Sequence, residues 1–107
     1  MFHRNKSNLE EARYVASLVV LAAQLMSSAS QRSHEPPKTL SIGVIAPYAR
    51  QVDVIRSSLT KALQHAGSQF PLDVEVSTVD SFQGREKDII ILSCTRYVLY
   101  FAFIFVS

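Results

Sequence analysis

The amino-acid sequence predicts an α/β domain with a parallel sheet and flanking helices, and three observations predict it. Strand-like segments occur at residues 40–46, 72–76 and 88–93, the first a short continuous apolar run with one glycine, as in a strand covered on both faces. Between the first two runs, Val52, Ile55, Leu59 and Leu63 recur at spacings of three and four, as on one face of a helix. Proline and glycine punctuate the joins, with Pro36, Pro37, Pro47 and Gly67 at segment boundaries. Strand, helix, strand, link and strand in this order make βαβ-type units and hence parallel neighbours.

The elements follow in order. Asn8 or Ser7 caps a first helix that begins near Leu9, with Glu10 and Glu11 in the turn where the helix dipole favours carboxylates. Leu9, Ala12, Ala16, Val19 and Ala23 form an apolar stripe that Val15, Leu18, Ala22 and Met26 broaden, so most of this helix should be covered. Residues 27–39 read as a polar loop in which Pro36 and Pro37 block helix continuation. Strand 40–46 stops at Pro47, and a second helix runs from Tyr48 or Ala49 until Gly67 supplies its C-terminal signal. Strand 72–76, a polar link and strand 88–93 complete the pattern. Residues 97–106 then turn aromatic and β-prone without charge, proline or glycine, suited to an edge or central strand and aggregation-prone where exposed.

At 107 residues the chain suits one small domain or a piece of a larger one. Its net charge of +2 permits an anionic partner without arguing for one, since nucleic-acid footprints are clustered and more basic. Cys94 is the sole cysteine, and His3, His34 and His65 lie far apart, so neither a disulfide nor a zinc spacing is present. Cys94 reads as a small buried hydrophobe at a strand end, in keeping with a reducing compartment. The apolar runs 15–26 and 98–106 fall short of the roughly 20 residues a spanning helix requires, so no membrane partner is expected. Glu10 and Glu11 also separate the basic N-terminus from the first run, which argues against a secretory signal.

The chemistry concentrates in the link from Ser77 to Asp88. Asp80 and Gln83 have capping-box spacing, and Gly84 lets backbone approach a ligand. Glu86 can accept from ligand hydroxyls, and Arg85 can pair with a phosphate or with a neighbouring carboxylate. Thr78 and Ser81 carry hydroxyls suited to a nucleic-acid backbone. A capped turn whose charges only meet solvent accounts for the same residues, and short motifs taken singly are weak evidence.

Thr78-Val79-Asp80-Ser81-Phe82-Gln83-Gly84-Arg85-Glu86-Lys87-Asp88-Ile89-Ile90-Ile91-Leu92-Ser93-Cys94 resembles motif V of superfamily 1 helicases of the up-frameshift and senataxin type. Upstream, Ile42-Gly43-Val44-Ile45-Ala46-Pro47-Tyr48-Ala49-Arg50-Gln51 is similar to the family's strand-to-helix segment, which carries Pro-Tyr and then Gln. Glu11-Ala12 matches the acidic residue and alanine that open the family's preceding helix. Two motifs in register are more specific than either alone, and the resemblance spans about residues 8–96. It divides the chain into a partial second RecA-like domain, 8–96, and an apolar tail, 97–107, that departs from the family and suggests a truncated or read-through end.

The resemblance implies a piece of an ATP-driven motor that moves on single-stranded RNA or DNA, in a nuclear or cytoplasmic setting. It implies that Glu86 bonds the ATP ribose, with Gly84 and Arg85 beside the nucleotide and Gln83 between the two sites. Thr78, and with them Asp80 and Ser81, would face the nucleic-acid backbone, and Pro47 and Tyr48 would mark the strand end nearest that track. Tyr48 is equally readable as a core aromatic, and Gln51 as a hydrogen-bonder at a helix start. ATP and Mg²⁺ belong to the parent motor. Gly43, Gly67 and Gly84 are the only glycines and none precedes Lys-Ser/Thr, so the sequence has no phosphate loop. It also lacks an Asp-Glu metal pair and the later motif with its phosphate-stabilising arginine, worth about 10³ to 10⁵ in rate. No metal or catalytic residue is therefore assigned, and the natural partner would be the missing first RecA-like domain. The sequence leaves two alternatives: a non-catalytic module binding single strands or a helicase partner surface, and a chain that needs other chain to fold.

Overall fold

The computed structural model describes residues 8–34, 36, 38–67, 71–82, 87–94 and 104–106, the last three in backbone course only. Helix α1 spans Leu9–Ser33, β1 spans Leu40–Ala46, α2 spans Ala49–Ala66, β2 spans Leu72–Thr78, β3 spans Ile89–Leu92 and β4 spans Ile104–Val106. The sheet order is β2-β1-β3-β4. β1 pairs parallel with β2 and with β3, whereas β4 pairs antiparallel with β3. The expected parallel sheet is thus three strands wide, with flanking helices as in a partial RecA-like domain, and the tail adds one antiparallel strand at its edge.

β1 is the central strand and decides both faces. Its residues alternate, so Leu40, Ile42, Val44 and Ala46 point one way and join Ala12, Val15, Ala16 and Val19 of α1 and Val52, Ile55 and Leu59 of α2 in the core. The parallel register brings Val76 and Ile91 beside Val44, completing that layer. Burying these side chains on one face is the main drive for the fold, at roughly 25 cal/mol per Å² of apolar surface removed from water.

The other face carries the crossover. The step from β1 to β2 goes through α2 in one direction along the sheet, and the step from β2 to β3 returns past β1. A right-handed connection that reverses direction must change faces. Phe82 and Lys87 accordingly lie where a side chain on Gly43 would project, opposite the helices.

Three boundaries differ from expectation. α1 continues through the serine-rich stretch to Ser33, because nothing there breaks a helix; His34 in the left-handed region ends it, just before Pro36. β2 reaches Thr78, two residues beyond the apolar run, since Ser77 and Thr78 still pair with Ile45 and Ala46. β3 is shorter than its run, Ile89–Leu92, with Asp88 and Ser93 bonded to β1 just outside it. Gly67 closes α2 at φ 63°, as its position predicts.

By length and composition α1 is long and apolar enough to cross a membrane, which corrects the shorter run read from the sequence. In this fold Ala12, Val15, Ala16, Val19 and Ala23 are buried and Leu21, Leu25 and Met26 are exposed, the two-sided character of a helix laid against a core.

Candidate nucleic-acid and nucleotide edge

Because β1, β2 and β3 run parallel, their carboxyl ends lie at one edge, where open α/β sheets place ligands. The register sets Ala46 opposite Thr78, so Pro47-Tyr48 and Val79-Asp80-Ser81 leave the sheet side by side. Pro47, Asp80 and Ser81 are exposed, and Tyr48 and Thr78 are half-buried. All five residues expected to face nucleic acid therefore share this edge. Tyr48 also serves as the N-cap residue of α2, without a capping side-chain bond.

The turn after β2 is closed locally. The Ser81 amide donates to the Thr78 carbonyl at 3.1 Å, and the Thr78 hydroxyl lies 3.1 Å from that of Ser81. The described residues here form a turn over Val79–Ser81, and the expected Asp80–Gln83 capping box depends on Gln83, outside the described residues. Gln83, Gly84, Arg85 and Glu86, the residues expected at the nucleotide, lie outside the described residues.

Not all of the link stays at the strand ends. Phe82 and Lys87 return over β1, with the Lys87 stem beside Gly43 and its ammonium 3.2 Å from Glu75 on β2. The long side chain spans apolar surface and delivers its charge to a carboxylate. Asp88 is bonded twice to Ser41: its amide donates to the Ser41 carbonyl, and its carboxylate accepts from the Ser41 amide, both at 2.9 Å. The charges of Lys87 and Asp88 thus fasten the crossover to the sheet.

The edge is braced by residues whose roles the sequence shows only in outline. Asn8 caps α1, its side-chain oxygen accepting from the Glu11 amide at 3.0 Å. Gln51, fully buried, accepts from the Asn8 amide at 2.7 Å and donates to the Asn8 carbonyl at 3.1 Å. It is the helix-start hydrogen-bonder that its position predicts. Glu11 is buried, not solvated in the first turn, and accepts a hydrogen bond from the Ser93 hydroxyl. Burial raises its carboxyl above the ordinary value, and the Ser93 bond partly opposes this. Its other oxygen and the Ser77 hydroxyl are buried without a hydrogen-bond partner among the described residues. The signal for Glu11 was its phase: it precedes Val15, Val19 and Ala23 at steps of four on the buried stripe. Cys94, next along, is a half-buried free thiol.

Beside this edge, a groove of about 690 Å³ runs between α1 and α2, with Arg13, Arg50 and Lys61 outnumbering Asp53 along it. Ala49 and Arg50, which line the groove, directly follow Tyr48 in the chain. At the β2 edge of the sheet Arg56 donates to the Val76 carbonyl at 2.7 Å, tying α2 to that edge strand.

A family model described as an AAA domain matches residues 2–103. The chain is 48% identical over 65 residues to the DNA polymerase alpha-associated DNA helicase A of Saccharomyces cerevisiae, covering 61% of this chain and 8% of that protein. It is 47% identical over 62 residues to the regulator of nonsense transcripts 1 homolog of Neurospora crassa, covering 55% of this chain and 5% of that protein. The corresponding Drosophila melanogaster protein is 45% identical over 62 residues, with the same coverage of 55% and 5%. The chain thus spans less than a tenth of the length of these relatives, at 8%, 5% and 5%.

Proposed function

The chain belongs to the AAA domain family and is a partial match to superfamily 1 helicases of the up-frameshift type, and from that premise we propose that it is a motor-domain piece supplying one wall of an ATP site and one strip of a single-strand track. The observation that carries this reading is the pairing of Ala46 with Thr78. That register brings the Pro47-Tyr48 part of the 42–51 motif beside the Thr78 start of the 78–94 motif at the carboxyl edge, where two separate resemblances must meet if they serve one ligand.

In this reading Pro47, Tyr48, Thr78, Asp80 and Ser81 meet the backbone of single-stranded RNA or DNA, and Gln83, Gly84, Arg85 and Glu86 meet the ATP. The chain has no phosphate loop of its own, so ATP, Mg²⁺ and hydrolysis belong to the assembly with a first RecA-like domain. Residues 8–96 form the motor piece and 97–107 an added tail, and the setting is nuclear or cytoplasmic.

A second reading, a non-catalytic single-strand binding module, is favoured by the cationic groove between α1 and α2. One titration addresses both. Labelled oligouridylate or oligothymidylate should bind the chain, and T78A with S81A should weaken binding several-fold. Equal affinity of this variant and the original chain would remove the edge from the proposal; binding that persists and depends on Arg50 and Lys61 would favour the module.

A further inference from the structure

The N-terminus of α1 touches two of the segments that build the carboxyl edge. We propose that Asn8 and Glu11 form a clasp that fastens the start of α2 to the residues following β3, and that both act as positioning residues for this edge. The proposal rests on the reading above only in naming what the edge holds.

The clasp has two prongs on one turn of helix. The first is the paired bond between the Asn8 backbone and the Gln51 side chain, at 2.7 and 3.1 Å, joining points 43 residues apart. Gln51 lies three residues beyond Tyr48, so this prong holds the turn in which the Pro47-Tyr48 segment becomes a helix. The second is the bond from the Ser93 hydroxyl to the Glu11 carboxylate, joining points 82 residues apart. Ser93 also donates its amide to the Ile45 carbonyl at 2.8 Å, so it continues the ladder one step past β3. The Asn8 side chain bonds the Glu11 amide at 3.0 Å, which makes the two prongs one rigid unit.

Plain core filling does not explain this choice of residues. Gln51 and Glu11 are 0% and 2% exposed, among the largest fully buried side chains, and sit in a layer otherwise built from alanine, valine, leucine and isoleucine. A buried amide or carboxyl is costly unless bonded, and apolar residues of similar volume would fill the space without that cost. What these two provide, and aliphatic side chains cannot, is directional attachment to backbone and hydroxyl groups on different segments. Both prongs end at the edge that carries Pro47, Tyr48 and Thr78, where a shift of one segment would be passed to the other through α1.

Hydrogen exchange of the full 107-residue chain tests the clasp without any ligand. The reporters are the amides of Asn8, Val52 and residue 93, bonded respectively to Gln51, Tyr48 and Ile45. The control is the Leu40 amide, bonded to Pro71 at the opposite end of the sheet. S93A should speed all three reporters about tenfold, the loss of roughly one hydrogen bond, and leave the control unchanged. E11A should do at least as much, whereas E11Q, whose amide oxygen still accepts from Ser93, should stay near the original rates. Acceleration confined to residue 93, or equal acceleration of the control, would overturn the clasp; if E11A fails to fold, S93A decides alone. Positioning is read separately: S93A should weaken oligothymidylate binding several-fold while the chain stays folded. Unchanged affinity would overturn the positioning role, and no binding by the original chain would sink the functional reading while the exchange rates still judge the clasp.

Discussion

The ring of Phe82 occupies the space that a side chain at Gly43 would fill. A Cβ there would come within 2.9 Å of the Phe82 ring edge and 3.3 Å of the Lys87 stem. Gly43 is required for close approach, because the crossover from β2 to β3 must pass directly over the central strand.

G43A should therefore push the crossover away from the sheet, at a cost of about 1–3 kcal/mol for overpacking. Truncating the ring in F82A vacates that space, so the double variant should be less destabilised than the two single losses added together. Urea unfolding of the four proteins measures this; strict additivity would show that the ring and the glycine do not constrain each other.

Glu11 should make the fold sensitive to pH. Its folded pKa is raised by burial, so its contribution to stability is fully present below the unfolded carboxyl value and is lost as pH rises through the folded one. E11Q carries no charge and should flatten that part of the profile, matching the original chain in acid and exceeding it at neutral pH. Thermal midpoints across that range provide the check, and parallel profiles for the two proteins would contradict it.

Removing Gln51 should cost more than removing an exposed helix residue. In Q51A the Asn8 amide loses its partner in a half-buried site, a loss of about 1–3 kcal/mol. Q51E should be worse at neutral pH, since it buries a charge and gives up the donor to the Asn8 carbonyl. Its deficit should shrink in acid, measured again by denaturant midpoint.

The cationic groove should show in the salt dependence of single-strand binding. Each phosphate contact contributes about 0.7 to the slope of log K against log salt for single strands, so R50A with K61A should lower the slope by up to about 1.4. T78A should reduce affinity without that change in slope, because a hydroxyl displaces no counterion. A slope that stays the same in R50A/K61A would take the groove out of the contact.

Strong local signals made much of the fold legible. Pro47 and Gly67 act within a residue or two, so β1 and α2 fall where the sequence places them. The end of α1 was harder, because serine, glutamine and arginine are tolerated on an exposed helical face and only His34 with Pro36 stops it. At the candidate edge, the motifs led to the expectation of Pro47, Tyr48, Thr78, Asp80 and Ser81, and the pairing of Ala46 with Thr78 puts these residues at one edge of the sheet. The partnership of Glu11 with Ser93 had no sequence signature, since spacing along a chain does not say which distant segments meet. Nor did the link reveal that Phe82 and Lys87 would turn back over β1; that follows from strand order, which only the assembled sheet fixes.

The position of α1 also bears on the order of events while the chain is made. β1, α2 and β2 are consecutive and can pair soon after they exist, whereas the bonds of α1 wait for Gln51 and Ser93, 43 and 82 residues further on. Substitutions at Asn8 or Glu11 should then quicken unfolding and barely alter the refolding rate, as for contacts formed after the transition state. During synthesis the stripe of Val15, Ala16 and Val19 stands uncovered until β1 and α2 emerge, which makes that interval the one in which a chaperone or a neighbouring chain competes for it. α1 is thus made before β1, α2 and β3 yet is secured only after they exist.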